Sequence, residues 1–213
     1  MKTEDVIRAV VADNASIQRP IGQTITRALG AGALAGSVVF CGLLGLRPDF
    51  AWVLANSARF DFKLFFTIAV AACAFLLTRR LARPDGAGKT VAWAFAIPIG
   101  ALAVAVVMEL NALPSDRWLI HARGSNWLAC MTMIPVLSLA PLIAIFYALR
   151  QGAPSSPAIA GAAGGLLAAA IGATLYATHC SDDSPLFVSI WYPIGITFVA
   201  VAGALAGRRL LRW

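Results

Sequence analysis

Charge is what this sequence has least of. Only 13% of its 213 residues are Asp, Glu, Lys or Arg, against 60% that are hydrophobic, whereas a soluble domain carries about 25% charged residues. So few ionisable side chains cannot make a water-facing surface, which excludes an ordinary soluble domain. Histidine is nearly as scarce, with two residues, and the sequence has neither a Cys-x-x-Cys pair nor a His-x-x-x-His. No nucleophile, base and acid are spaced for hydrolysis, and the chain is read as having no catalytic residues. Its net charge of +7 is not laid out as a basic stripe interleaved with aromatics, which removes direct nucleic-acid binding. The first residues are too polar, and carry too few positive charges ahead of any apolar core, to be a secretory signal.

Long apolar runs take up the space that charge leaves. A hydrocarbon core about 30 Å thick requires roughly 20 mostly apolar residues per spanning helix, and six segments qualify: about 27–46, 62–79, 90–111, 126–149, 157–178 and 185–206. The stretches "LRPDF", "RRLARPDGAGK", "NALPSDRW", "RQGAPSSP" and "HCSDDSP" between them carry turn residues. The expected fold is an all-α integral membrane protein. A cytoplasmic tail (1–25) with a short amphipathic helix precedes a bundle of six transmembrane helices (26–207) and a basic C-terminus (208–213). Small residues spaced by four let helices approach closely in lipid. Gly32 and Gly36, Gly161 and Gly165, and Gly203 and Gly207 have that spacing, so spans one, five and six are expected to pack together.

Orientation follows from the basic residues at the span ends, which stay cytoplasmic. Taking the ends in alternation, 12 of the 17 Lys and Arg fall on the side that holds both termini. Both termini are therefore expected in the cytoplasm, with Arg79, Arg80, Arg83, Lys89, Arg208, Arg209 and Arg212. The opposite, outer side then receives "LYATHCSDDSPLF", where thiols can be oxidised.

Folding the spans alternately up and down brings further residues to that level. Cys130 lies roughly 6 Å inside the fourth span at 1.5 Å per residue, Cys41 near the end of the first, and Met108 and Glu109 at the end of the third. With Met131, Met133 and His179 these residues share one outer layer, while Cys73 falls towards the inner half of the second span. Cys130 and Cys180 can form a disulfide if their Cα atoms come within about 7 Å. Alternatively Cys130, Cys180 and His179, with Cys41, Met131 and Glu109 as additional ligands, offer soft donors to a transient copper, cadmium or zinc ion. Lone cysteines in apolar helices also serve simply as small hydrophobes. Cys180 differs in standing next to His179 in a turn read as solvent-reachable, where an imidazolium favours the thiolate. Asp182 and Asp183 are placed to cap the sixth helix ahead of Pro185, and Glu109 to reach the headgroups or pair with Arg117 or Arg123. Trp93, Trp118, Trp127, Trp191 and Tyr192 read as interfacial anchors.

In the tail, Thr3 is placed to cap a short helix, Glu4 and Asp5 suit its first turn, and Val6, Ile7, Val10 and Val11 make one apolar stripe. A helix of about 12 residues is marginal alone. Its stripe requires the bilayer surface, the inner loops or another protein's groove.

The stretches "MKTEDVIRAVVAD", "LGLRPD", "GSNWLACMTMIPVLSLAPL", "LRQGAPSSPAIAGAAGGLLAA", "LYATHCSDDSPLFVSIWY" and "RRLLRW" together resemble the NrsF family of bacterial membrane proteins over nearly the whole chain. The resemblance implies a six-span anti-sigma factor of the inner membrane whose partner is an extracytoplasmic-function sigma factor. It assigns the family's paired cysteines to Cys130 and Cys180 and implies that the inner face holds the sigma factor. With the apolar stripe in view the tail, with Glu4, Asp5, Val6, Ile7, Val10 and Val11, is taken as the sigma-binding segment. The remaining expected partners are membrane lipid and a second copy in a homodimer. Two rivals stand beside it. A small metal or solute transporter needs polar groups along a midplane path, for which Pro98, Pro135, Pro141 and Pro193 offer only helix breaks. A disulfide-generating oxidoreductase needs a second reactive thiol pair, and the four cysteines are dispersed.

Overall fold

The computed structural model describes residues 3–5, 8, 20–84, 86 and 89–211. Six helical segments are long and apolar enough to cross a membrane. Their long helices are α1 (Ile21–Leu43), α2 (Ala58–Leu81), α3 (Ala96–Ala112), α4 (Trp127–Leu149), α5 (Pro157–Ala177) and α6 (Pro185–Leu210). Successive helices alternate in direction. The C-terminal ends of α1, α3 and α5 thus meet the N-terminal ends of α2, α4 and α6 at one end of the bundle, the Cys180 end.

Helix ends follow local chemistry. Ser57 caps α2 by accepting from the Phe60 amide, and Arg79 and Arg80 sit in its last turn, where cations complement the helix dipole. Pro157 and Pro185 open α5 and α6 with the backbone angle a first helical turn needs. Two connections expected as turns contain short helices, Phe50–Asn56 and Trp118–Arg123. They carry the exposed Trp52, Trp118 and Leu119, so these stretches put apolar faces beside the bundle instead of looping away. Prolines break nothing inside the bundle: α4 runs through Pro135 and Pro141, and α6 through Pro193.

The bundle is built around α5. This helix is so rich in Gly and Ala that α2, α4 and α6 can all close on it, and it is buried along most of its length. At the α5–α6 crossing the backbones touch: a Cβ added to Gly165 would stand 2.6 Å from the Val199 carbonyl oxygen, and one on Gly161 would collide with that of Gly203. The glycines of α1 face α4 more than the α5 that was expected. A Cβ on Gly32 would lie 2.8 Å from the Cα of Pro141, and Gly36 faces Leu137 and Pro141 of α4 together with Leu175 of α5, so α1 packs mainly on α4. Helix α3 is peripheral, burying little beyond Pro98, Leu102 and Glu109.

Two further expectations change. Tyr192 is fully buried in the core, not an interfacial anchor, because α6 turns that face toward α4 and α5. In the tail, Thr3, Glu4, Asp5 and Arg8 are helical and exposed, whereas the stripe of Val6, Ile7, Val10 and Val11 lies outside the described residues.

Candidate functional site

At the Cys180 end the loop from Thr178 to Ser184 reaches every other helix of the bundle. After α5 ends, the Cys180 amide still donates to the Tyr176 carbonyl (2.9 Å), and the chain then runs extended to Pro185. Its side chains and carbonyls fan outward. The His179 ring meets the Gly45 carbonyl past α1 (3.0 Å), and Gly45 holds a positive φ of 70° that glycine alone adopts without cost. Lys63 of α2 donates to the Cys180 carbonyl (2.7 Å) and to Asp183 (2.5 Å). Ser184 donates to Glu109 of α3 (2.8 Å), and Asp182 accepts from the Asn126 and Ser125 amides ahead of α4 (2.7 and 3.0 Å).

Asp182 therefore caps α4, not α6. Free amides at the start of α4 have no intrahelical partner, and the carboxylate satisfies them across the loop. The approach depends on Gly124, with φ of 59°, where a Cβ would stand 2.9 Å from the Asp182 carboxyl carbon and would also strike Phe187. The cap of α6 falls instead to Glu109, whose Oε2 accepts from the Leu186 amide (3.0 Å) as well as from Ser184. Its other oxygen faces Arg59 at 3.5 Å and His121 at 4.0 Å and makes no hydrogen bond. Arg117 and Arg123 are not its partners, because Arg59 at the start of α2 reaches it first.

Lys63 is the main functional residue that the sequence reading missed. Its side chain is 0% exposed and paired with Asp183, which also takes Arg47 at 3.0 Å. Phe60 closes the cluster, with Arg47 and Lys63 lying 5.7 and 5.2 Å from its ring centre. Arg47 in turn holds Asp49 at 2.7 Å. That hydrogen bond keeps the Asp49 carboxyl below the usual carboxylate range and holds the Arg47 guanidinium above its own. The signal for Lys63 was a lysine inside the apolar phrase "DFKLFF". An ion pair that deep is retained only with strong partners.

The two thiols sit directly beneath this network. Cys130 and Cys180 are 0% and 1% exposed and share one core cluster with Ile134, Tyr176, Phe187 and Tyr192. Both are free. The turn holding Cys180 was expected to be open to solvent; its side chain instead points inward and is sealed by aromatic rings. Burial pushes the Cys180 thiol up, and the Lys63 ammonium pulls against that shift. The cation beside the thiol is thus Lys63, since His179 is directed to Gly45. The Tyr176 hydroxyl adjoins Cys180 and donates to the Asn126 carbonyl at 3.4 Å.

The other candidate ligands do not join the pair. Cys41 and Met108 are exposed, Met131 and Met133 are half-buried on α4, and Cys73 contacts the Ala94 carbonyl. Among the described residues no three His, Cys, Asp or Glu side chains are grouped to hold a metal ion. What the arrangement holds is two buried free thiols in one core cluster, groups of soft-donor character.

A family model described as negative regulator of sigma F, NrsF, matches residues 11–213. Two relatives are similar over their full lengths and the whole of this chain. The probable anti-sigma-F factor NrsF of Azospira oryzae is 32% identical over 215 residues, and the anti-sigma-F factor NrsF of Caulobacter vibrioides is 33% identical over 217. No solved structure matches.

Proposed function

The chain belongs to the NrsF family of negative regulators of sigma F, and on that premise we propose that it is an anti-sigma factor holding an extracytoplasmic-function sigma factor at the bacterial inner membrane. Release follows when Cys130 and Cys180 are oxidised or take up a soft metal. The observation that carries the sensing step is the position of the two buried thiols under a loop bonded to the ends of all the other helices. Any bond formed between the thiols pulls on that loop, and with it on α1, which runs back to the tail.

Both termini lie in the cytoplasm. From residue 20 onward every described acid, namely Asp49, Asp61, Glu109, Asp116, Asp182 and Asp183, belongs to the Cys180 end. The other end carries Arg27, Arg79, Arg80, Arg83, Arg150, Arg208 and Arg209, the distribution of a cytoplasmic face. The tail supplies the sigma contact, with Glu4 and Asp5 exposed and Val6, Ile7, Val10 and Val11 as its apolar stripe. A hundredfold loss of sigma affinity requires about 2.7 kcal/mol of coupling. A dithiol couple shifts by about 1.4 kcal/mol per 30 mV, so a modest change in redox poise is sufficient.

The test is a sigma-dependent reporter in cells carrying Cys130→Ser or Cys180→Ser. Each variant should keep the reporter silent and abolish its induction by oxidant and by cadmium or copper. Induction at the normal level in both variants would remove the cysteine pair from the mechanism.

A further inference from the structure

Between α1 and α4, at the arginine-rich end, lies a furrow of about 1130 Å³. Its walls are small or apolar along most of their length, with Ala28, Ala31 and Ala35 on α1 facing Ala140, Ile143 and Ala144 on α4. The floor is set by the contact of Gly32 with Pro141, which brings the helices together and leaves the furrow open only to the side. At the end nearer the start of α1 the lining turns polar, with Thr24, Arg27 and Gln151.

Arg27 is the informative residue. It stands on the exposed side of α1, roughly 9 Å along the helix from Ile21 at 1.5 Å per residue. No ion pair to it occurs among the described residues, and neither α1 nor α4 contains an acid. A guanidinium at the edge of the hydrocarbon is costly unless it snorkels to the headgroup interface, where phosphates lie. From residue 20 onward no described acid stands at this end.

We propose that this furrow binds an anionic phospholipid of the cytoplasmic leaflet. Arg27, Thr24 and Gln151 take the phosphate, and one acyl chain lies along the alanines. The charge decides between this occupant and a helix from a second copy. An identical α1 or α4 laid in the furrow would bring no acid and would bury Arg27 unpaired, whereas a phosphate neutralises it. The two walls are the helix that leads back to the tail and the helix that carries Cys130, so the lipid sits where relative movement of α1 and α4 would be felt.

The full chain, delipidated in detergent, is titrated by native mass spectrometry with phosphatidylglycerol, with phosphatidylcholine of the same acyl chains, and with glycerol phosphate lacking chains. Phosphatidylglycerol should be preferred over phosphatidylcholine by about fivefold, the worth of one basic group at an anionic surface. Arg27→Gln should erase the preference and Arg27→Lys keep it. Ala31→Trp, at an exposed position, should weaken both lipids by filling the furrow, and glycerol phosphate should not bind. Equal retention of the two lipids by the unaltered chain, or an undiminished preference in Arg27→Gln, would overturn the assignment. So would a dimer that Ala31→Trp dissociates while lipid retention stays unchanged. No sigma factor is present in these titrations, so they fail or succeed independently of the anti-sigma function.

Discussion

Lys63 holds the Cys180 loop with a full charge on one side and a backbone carbonyl on the other, so its removal should show in stability before it shows in regulation. Lys63→Met leaves Asp183 with Arg47 alone. The expected loss is about 2–3 kcal/mol, at the lower edge of what breaking a buried pair costs, because Arg47 remains and Asp183 is partly solvated. Thermal unfolding in detergent measures it, and Lys63→Met combined with Asp183→Leu should recover part of the loss by removing the stranded charge. The thiols should differ sharply in reactivity. At neutral pH iodoacetamide should modify the exposed Cys41 first and Cys180 at least about tenfold more slowly, since burial both blocks access and favours the protonated thiol. The Cys180 rate should keep rising as pH passes the ordinary thiol range, because its raised titration delays formation of the thiolate. Mass spectrometry of the labelled chain distinguishes this from equal labelling, which would mean the loop stands open.

Helix existence was legible because a 20-residue apolar run has few alternatives, whereas helix partnership was not. The spacing of Gly161, Gly165, Gly203 and Gly207 pointed correctly to a tight crossing, but the same spacing in Gly32 and Gly36 met chiefly proline on α4, with Leu175 of α5 beside Gly36 alone. Nothing in a glycine pair names the surface opposite. Capping was misassigned for a related reason. Asp182 and Asp183 stand just before α6, and local sequence assigns them there, while the folded loop crosses them to other helices and brings in Glu109 from α3. Three predictions belong to this level. Gly203→Leu should cost at least about 3 kcal/mol or prevent accumulation, since even its Cβ stands 2.5 Å from the Gly161 carbonyl oxygen. Gly30→Ala, with nothing within 4 Å, should be neutral or stabilise by up to about 1 kcal/mol. Glu109→Gln should weaken the α6 cap by about 1 kcal/mol and free Arg59; unfolding of the three variants under identical conditions ranks them.

Across the whole molecule the two ends have opposite characters. Acids, hydroxyls and the buried Lys63 knit the Cys180 end together, while the other end shows arginines. That polarity was readable from the positions of Lys and Arg alone, since few charges mean that each weighs heavily. The bonded loop above the thiols was not, because it depends on which helix ends meet in space. Coupling between the ends requires that a change at two cysteines alter the helix running back to the tail, and α1 is bonded to the loop through Gly45 and Arg47. The most direct test is affinity purification of the intact chain from detergent-solubilised native membranes, with mass spectrometry of what accompanies it. The purification is run reduced and after oxidation, with and without residues 2–19. The predicted result is a sigma factor recovered with the reduced, intact chain, lost on oxidation, and absent when the tail is removed. Recovery of no sigma factor from the reduced, intact chain would contradict the anti-sigma function, and equal recovery before and after oxidation to the Cys130–Cys180 disulfide would contradict the redox switch.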